Sequence, residues 1–388
     1  MLLGIVGFAF FVDMLVYGMV VPALPSLAKP AGLEFFEVAA VFACYGLAYF
    51  ALTPIVGWLV DRRGSRAVFL SGAVTLALAT LFFGYATSSM GLVFSRTLQG
   101  AGAAANWVAG YAVLVQAFTR EQRGRAVATA SIGTALGVLL GPTLGGCLLE
   151  ISGPHAPFWV AASLAAAAVP ALAVALPRST PQPRPAADDA RTGARVLQGR
   201  AVPWLLASLA AGLALGGVEA TLPVDLAGRL HVSALTIGLL FALTAVAFIA
   251  ASQIAGRVSD DRQRRKLLAA GWVILGLALA GIGQQSAVLL HAVTLTCLGT
   301  GMGMMIATIM PALIDVLEAG GAQHPGSAAA AYNLSYSAGC LAGAPLTGWV
   351  ADLHSFRAAT TFTALVTLGC GVLAALAQSA FGQRETNA

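Results

Sequence analysis

Long apolar stretches recur along the whole chain, separated by short polar loops. Each stretch approaches the 20 or so residues that an α-helix needs to cross a membrane. Their continuous apolar character predicts helices rather than alternating strands. A longer polar segment, residues 177–200, divides them into two sets of six. The twelve predicted spans are residues 1–26, 36–60, 67–87, 91–117, 126–149, 156–176, 202–224, 233–255, 267–285, 288–314, 327–350 and 357–381.

The polar segment marks the expected domain boundary. It is rich in Pro, Arg and Asp, a composition that does not bury itself and that is typical of a solvated linker. We therefore predict an N-terminal six-helix bundle over 1–176, a cytoplasmic linker over 177–200 and a C-terminal six-helix bundle over 201–388.

The composition supports the same class of protein. The chain has 388 residues, of which 58% are hydrophobic and 10% charged, whereas a soluble domain has about 25% charged residues. This excludes a soluble enzyme, a secreted disulfide scaffold and a disordered protein. The five cysteines lie singly in apolar runs, so we interpret them as small buried hydrophobes and expect no metal site.

The positions of the basic residues predict the orientation. The loops between the predicted spans are numbered here in chain order. Of the 21 Lys and Arg residues, all but Lys29, Arg96, Arg229 and Arg357 lie in the even-numbered loops or in the C-terminal tail. Basic residues concentrate on the cytoplasmic side of membrane proteins. We therefore expect a multi-pass protein of the plasma membrane, as in a bacterial inner membrane, with both termini cytoplasmic. The net charge of +5 then reflects orientation and requires no nucleic-acid partner.

The two halves repeat one another. Three landmarks of the first half return, in the same order, about 200 residues later, which indicates duplication. Two parallel six-helix repeats with a binding site between them are typical of transporters. The matched pairs are Gly57–Asp61 with Gly256–Asp260, Pro22 with Pro223, and Gly141-Pro142 with Ala344-Pro345.

Two motifs suggest conformational roles. The charged stretch 57–66 lies at the end of the second span, where a charge network that forms in only one conformation would act as a latch; a basic loop that merely sets orientation is the alternative. The predicted latch residues are Gly57, Asp61, Arg62, Arg66, Asp260 and Arg264.

In the fifth span, glycines at four-residue spacing form a packing groove and Gly-Pro adds a kink; close packing without a coupling role is the alternative there. That motif comprises Gly133, Gly137, Gly141, Pro142, Gly145 and Gly146.

Three charges lie inside predicted spans and at least five residues from the span ends, namely Asp13, Arg96 and Glu219. A charge within a span is costly and therefore indicates function. Burial opposes ionisation of a carboxyl and a nearby arginine favours it, so such an acid is suited to taking up and releasing a proton. The alternatives are a structural carboxylate for either acid and a snorkelling side chain for Arg96.

Signals for enzymatic chemistry are lacking. The sequence has no GxxxxGK[ST] stretch for ATP, no GxSxG elbow and no paired catalytic carboxylates. The five histidines are scattered near loops. We therefore expect neither an enzyme nor a cofactor.

At this point the motifs match a known family. GWLVDRRGSR (57–66) resembles the loop signature of the major facilitator superfamily. RTLQGAG (96–102) and the fifth-span glycine pattern resemble motifs of its twelve-helix drug:proton antiporter branch. The stretches 12–27 and 217–226 are similar to the first and seventh spans of vesicular monoamine transporters and their bacterial relatives. This resemblance implies a twelve-helix major-facilitator fold, with Asp13 and Glu219 contacting a cationic amine or exchanging protons.

The chain also departs from the vesicular pattern. Tyr45 stands where those transporters have a lysine, and Ile306 and Leu334 or Ser335 fall where they have acids. Fewer central acids favour a broader range of amphipathic cations over a strict monoamine preference.

These observations lead to one expected function. We expect a monomeric proton-coupled antiporter that exports amphipathic cations, drug-like or monoamine-like, by alternating access. Its partners are the small-molecule substrate, protons and the lipid bilayer. A proton-coupled importer or facilitator of a small polar nutrient, such as a sugar, is the alternative. The predicted substrate contacts are Asp13, Tyr17, Tyr45, Tyr49, Asn106, Trp107, Glu219, Asn333 and Tyr336, with core packing as the alternative for the aromatic and amide groups.

Overall fold

The computed structural model describes residues 2–29, 32–176, 201–257, 261–319 and 325–386. These residues form twelve α-helices and no strand, which confirms the predicted all-α fold. The helices are α1 (Leu2–Ala28), α2 (Phe35–Arg63), α3 (Ser65–Tyr85), α4 (Ser89–Ala117), α5 (Arg120–Ser152), α6 (Ala156–Ala175), α7 (Val202–Arg229), α8 (Ala234–Ala255), α9 (Asp261–Ile282), α10 (Val288–Ala319), α11 (Pro325–Leu353) and α12 (Phe356–Thr386).

Ten of the helices in the described part of the chain are long and apolar enough to cross a membrane. Helix α4 is one of the other two, because it carries polar residues in its middle. Arg96, Gln99 and Asn106 are nonetheless buried. These polar groups face protein rather than lipid, as polar residues in spans usually do.

Short joints connect the helices of the first half. Gly64 joins α2 to α3 with φ +83°, and Gly153 joins α5 to α6 with φ +87°, values at which a side chain is strained. At the start of α4 the Ser88 hydroxyl accepts a hydrogen bond from Gly91 N at 3.2 Å, a standard N-cap. Among the described residues of the first half, α3 and α4 are the consecutive helices that pack extensively, whereas the other close pairs, such as α1 with α5, are not consecutive in the chain.

The helix pairs show the internal repeat directly. In the first half α1 packs on α5, α2 on α4, and α3 on α4 and α6. In the second half α7 packs on α11 and α8 on α10, while α9 packs on α10 and α12. Each of these four pairs of the first half recurs six helices later, so the two halves are pseudo-symmetric.

The described residues form two compact units. The first contains α1–α6 together with Pro223–Ala242, and the second contains the rest of α7 and α8 with α9–α12. The first unit therefore takes in the α7–α8 junction, which the sequence assigns to the second repeat. The predicted linker 177–200 lies outside the described residues, so its boundaries stay a prediction.

Candidate functional site

Asp13 lies in the middle of α1 and is completely buried. The Tyr45 hydroxyl of α2 donates to Asp13 Oδ1 at 3.4 Å, and Trp107 of α4 also interacts with the carboxyl. Asp13 Oδ2 has no hydrogen-bond partner among the described residues. A buried polar oxygen without a partner is costly, so this oxygen is an acceptor whose hydrogen-bonding capacity the described residues leave unused.

Arg96 lies on α4 and is also completely buried. Its Nη1 donates to Gln99 Oε1 at 3.0 Å, one turn further along the same helix. Gln99 Nε2 in turn donates to Thr80 Oγ1 of α3 at 3.2 Å. This chain of hydrogen bonds holds one side of the guanidinium toward α3.

Three aromatic rings surround the Arg96 guanidinium carbon. Their centroids lie 5.4 Å away for Tyr17, 5.2 Å for Phe42 and 4.7 Å for Tyr45. Tyr17 also contacts both of the other rings, at 5.5 and 5.3 Å between centroids. We call Tyr17, Phe42 and Tyr45 the aromatic box.

Helical spacing brings the aromatic box to Asp13. Tyr17 follows Asp13 by four residues on α1, and Phe42 precedes Tyr45 by three on α2, so each pair shares a helix face. Tyr49 lies one turn beyond Tyr45 and is near enough to Asp13 to interact with it electrostatically. The first half therefore gathers a carboxyl, a guanidinium and several aromatic rings around one point.

The other predicted contacts of the first half divide into two groups. Trp107 stacks on Phe10 at 4.4 Å and contacts Asp13, so it belongs to the cluster. Asn106 instead packs against α3, where a Cβ on Gly72 would lie 2.7 Å from Asn106 Oδ1. Asn106 thus lies in the α3–α4 packing.

The second half holds its own acid. Glu219 of α7 is partly buried and lies within electrostatic range of Tyr336 and Cys340 of α11. Tyr336 stacks on Tyr332 with 5.9 Å between centroids. Asn333, also predicted as a contact, is exposed. Each half therefore pairs one in-span acid with tyrosines.

The predicted latch residues contact groups in their own halves. Arg66 Nη2 donates to Ala173 O at the end of α6, at 2.5 Å, and the Arg62 guanidinium lies 4.3 Å from the Trp58 ring centroid. In the second half, Arg264 Nη1 lies 2.6 Å from Asp315 Oδ2.

Two other latch residues, Gly57 and Asp61, show no such contact with the described part of the chain. A Cβ on Gly57 would meet no atom within 4 Å, so no described helix packs closely against this residue in this conformation. Asp61 is partly exposed, and Asp260 lies outside the described residues.

The fifth-span motif forms two contact faces of α5. A Cβ on Gly137 would lie 2.5 Å from Phe11 O, and one on Gly145 would lie 2.7 Å from Met19 Cα, both on α1. Gly133 and Gly141 likewise abut α1, at Gly7 and Gly18, whereas Gly146 and Pro142 abut Ala234 and Gly238 of α8. The motif lets backbones touch on both faces.

Three groups around Arg96 are not among the residues predicted from the sequence. Phe42, Gln99 and Thr80 each contact Arg96 or a residue that holds it. Spacing offers the only signal for two of them: Phe42 lies three residues before Tyr45, and Gln99 three after Arg96. Thr80 is a single threonine in an apolar helix and gives no signal.

The family model described as Major Facilitator Superfamily matches residues 6–224 and 204–386. The human chromaffin granule amine transporter is 26% identical over 320 residues, which cover 81% of this chain and 60% of its own length. The putative multidrug resistance protein MdtD of Enterobacter sp. (strain 638) is 36% identical over 153 residues, which cover 39% of this chain and 32% of its own length.

The fold comparison agrees. A bacterial homologue of the human lysosomal transporter Spinster superposes with a TM-score of 0.78 at 13% identity, covering 98% of this chain and 97% of that one. With its apolar helices, pseudo-symmetric halves and buried charges, this chain is a multi-pass membrane transporter rather than an enzyme, and it belongs to the major facilitator superfamily.

Proposed function

We propose that this transporter exports amphipathic cations, of the drug or monoamine kind, in exchange for protons. The observation that carries the proposal is the Asp13 carboxyl. It is completely buried, one of its oxygens has no hydrogen-bond partner among the described residues, and aromatic rings lie beside it. The amine-transporter and multidrug relatives support the same substrate class.

The chemistry follows from competition at one carboxyl. An ionised Asp13 attracts an organic cation, and a proton on Asp13 removes that attraction. Because both ligands neutralise the same group, a proton taken up from one side promotes release of the cation there. Arg96 tunes this competition through its charge, and Glu219 supplies a second acid in the other half.

The motifs supply the moving parts of the proposal. The backbone contacts of α5 with α1 and α8 form a tight seam between those helices in the first unit. The charged groups at the ends of α2, α3, α9 and α10 form the latch on the cytoplasmic side, which is also the side on which we propose that both termini lie. We propose that these contacts break and re-form as the transporter alternates between its inward-open and outward-open states. Switching between discrete arrangements of packed helices is a common basis of such changes.

Transport into inverted membrane vesicles tests the proposal. Labelled tetraphenylphosphonium is the probe, and uptake is compared with and without an imposed proton gradient. We expect gradient-dependent uptake by the unchanged protein and its loss in Asp13→Asn, because the amide is neutral and does not exchange a proton. Equal uptake with and without the gradient would contradict antiport, and a fully active Asp13→Asn would remove that acid from the mechanism.

Asp225→Asn is the matched control. Asp225 is also buried, but its carboxylate is paired with Arg229 one turn along α7, at 2.6 Å. Its substitution removes a buried acid without touching the Asp13 cluster, so gradient-dependent uptake should persist. Proton-gradient-driven uptake of a labelled sugar into right-side-out vesicles, without cation uptake into inverted ones, would support the importer alternative.

A further inference from the structure

We infer that the aromatic box is the cation site and that Arg96 occupies it in this conformation, so that substrate and Arg96 compete for one place. The inference rests on the proposed function and extends it, because it names the residues that recognise the positive charge. It also assigns Arg96 a role as an internal competitor.

The geometry of the box is that of a cation site. All three ring centroids lie within about 6 Å of the guanidinium carbon, the range in which cation–π attraction acts. Phe42 and Tyr45 are buried and Arg96 is completely so; such attraction is strongest in desolvated sites. Aromatic cages of this kind recognise quaternary and protonated amines.

A second, independent observation points to a ligand at the same place. Asp13 Oδ2 is buried and has no hydrogen-bond partner among the described residues, while Oδ1 accepts from Tyr45, a member of the box. Ring faces and a carboxylate oxygen are together what an alkylammonium or phosphonium ion requires.

Two cations do not fit this site together. Like charges a few ångströms apart repel strongly inside a protein, so a bound substrate displaces the guanidinium. The guanidinium already has a hydrogen-bond partner outside the box, because Gln99 accepts from its Nη1 and in turn donates to Thr80 of α3. Binding of substrate is thus coupled to a movement of Arg96.

Equilibrium binding of labelled tetraphenylphosphonium to the purified protein tests this. Arg96→Gln removes the competitor and should bind the probe several-fold more tightly than the unchanged protein. Arg125→Gln, which removes an exposed positive charge from α5, should not change the affinity. Arg96→Met, of similar length without a charge, replaces the first variant if that variant fails to elute as a single species in gel filtration.

A double variant distinguishes competition for the aromatic box from a simple loss of charge repulsion between Arg96 and the probe. Phe42→Leu added to Arg96→Gln keeps an apolar side chain but removes one ring face, and should weaken binding roughly threefold to thirtyfold. Phe83→Leu in the same background is the matched control, because Phe83 is a buried ring packed on Phe158. That control should retain the gain.

Two results would overturn the inference while leaving the proposed function intact. One is an Arg96→Gln protein that binds no more tightly than the unchanged protein. The other is a gain that survives Phe42→Leu, since lost repulsion alone would then explain it. Absence of any tetraphenylphosphonium binding, in the unchanged protein and in Arg96→Gln alike, would overturn both the inference and the proposed substrate class.

Discussion

Gly145→Ala is expected to destabilise the protein by forcing α1 and α5 apart. A Cβ at this position would lie 2.7 Å from Met19 Cα and 2.8 Å from Met19 O. Both atoms belong to the α1 backbone, so no side-chain rotation relieves the contact. Ordinary van der Waals contact begins near 3.4 Å, and one helix must therefore shift by more than half an ångström.

The size of the effect follows from two opposing contributions. Overpacking of a well-packed interior costs about 1–3 kcal/mol, whereas replacing glycine by alanine within a helix gains about 1 kcal/mol. The net change for Gly145→Ala is therefore a loss of about 0–2 kcal/mol. Gly46→Ala in α2 isolates the second contribution, because a Cβ there meets nothing within 4 Å.

Thermal unfolding in detergent, followed by tryptophan fluorescence, compares the two variants. We expect Gly46→Ala to unfold at or above the temperature of the unchanged protein and Gly145→Ala to unfold below it. The difference between the variants should correspond to the steric cost of about 1–3 kcal/mol. If Gly145→Ala proves as stable as Gly46→Ala, the seam is looser than the structure shows and the reasoning about the fifth-span motif fails.

Two further predictions concern hydrogen bonds. Glu150 Oε1 accepts a hydrogen bond from Leu235 N at the start of α8, at 2.8 Å. Glu150→Gln should lower the free energy of unfolding by about 0.3–1 kcal/mol, because it removes a negative charge from a helix N-terminus. If high salt leaves this loss unchanged, the cause is not electrostatic. Thr80→Val keeps the side-chain shape but removes the acceptor for Gln99 Nε2, and should cost about 1–3 kcal/mol in thermal unfolding because a buried donor loses its partner. A fully stable Thr80→Val would mean that Gln99 finds another acceptor.

The sequence predicts the helices well because the membrane leaves little choice of structure. Every backbone group in hydrocarbon must be hydrogen-bonded internally, so long apolar runs become helices. Asp13 and Arg96 can be recognised from the sequence for a related reason, because a charged side chain within such a run is energetically costly unless it lies inside the protein. Both are completely buried.

The contents of the site are harder to predict from the sequence. Phe42 belongs to the aromatic box, whereas Phe82 is half exposed, yet both are phenylalanines in apolar runs. Lipid is as apolar as a protein interior, so hydropathy does not separate a ring that contacts a cation from one that contacts lipid. Asn106 illustrates the opposite difficulty: its polarity predicts a substrate contact, yet its buried side chain lies against α3, so polarity alone does not separate a substrate contact from a packed amide.

Two buried acids, Asp13 and Asp225, differ in how their carboxylates are held. Asp225 is satisfied within one helix: Arg229 Nε donates to it at 3.0 and 3.1 Å and Nη2 at 2.6 Å. Such an i, i+4 pair stabilises α7 whatever its neighbours do. Asp13, in contrast, is reached from α2 and α4 by Tyr45 and Trp107 and still has an oxygen without a hydrogen-bond partner among the described residues. Under the proposed mechanism, a change in its charge would alter contacts among three helices and so couple ligand binding to helix packing.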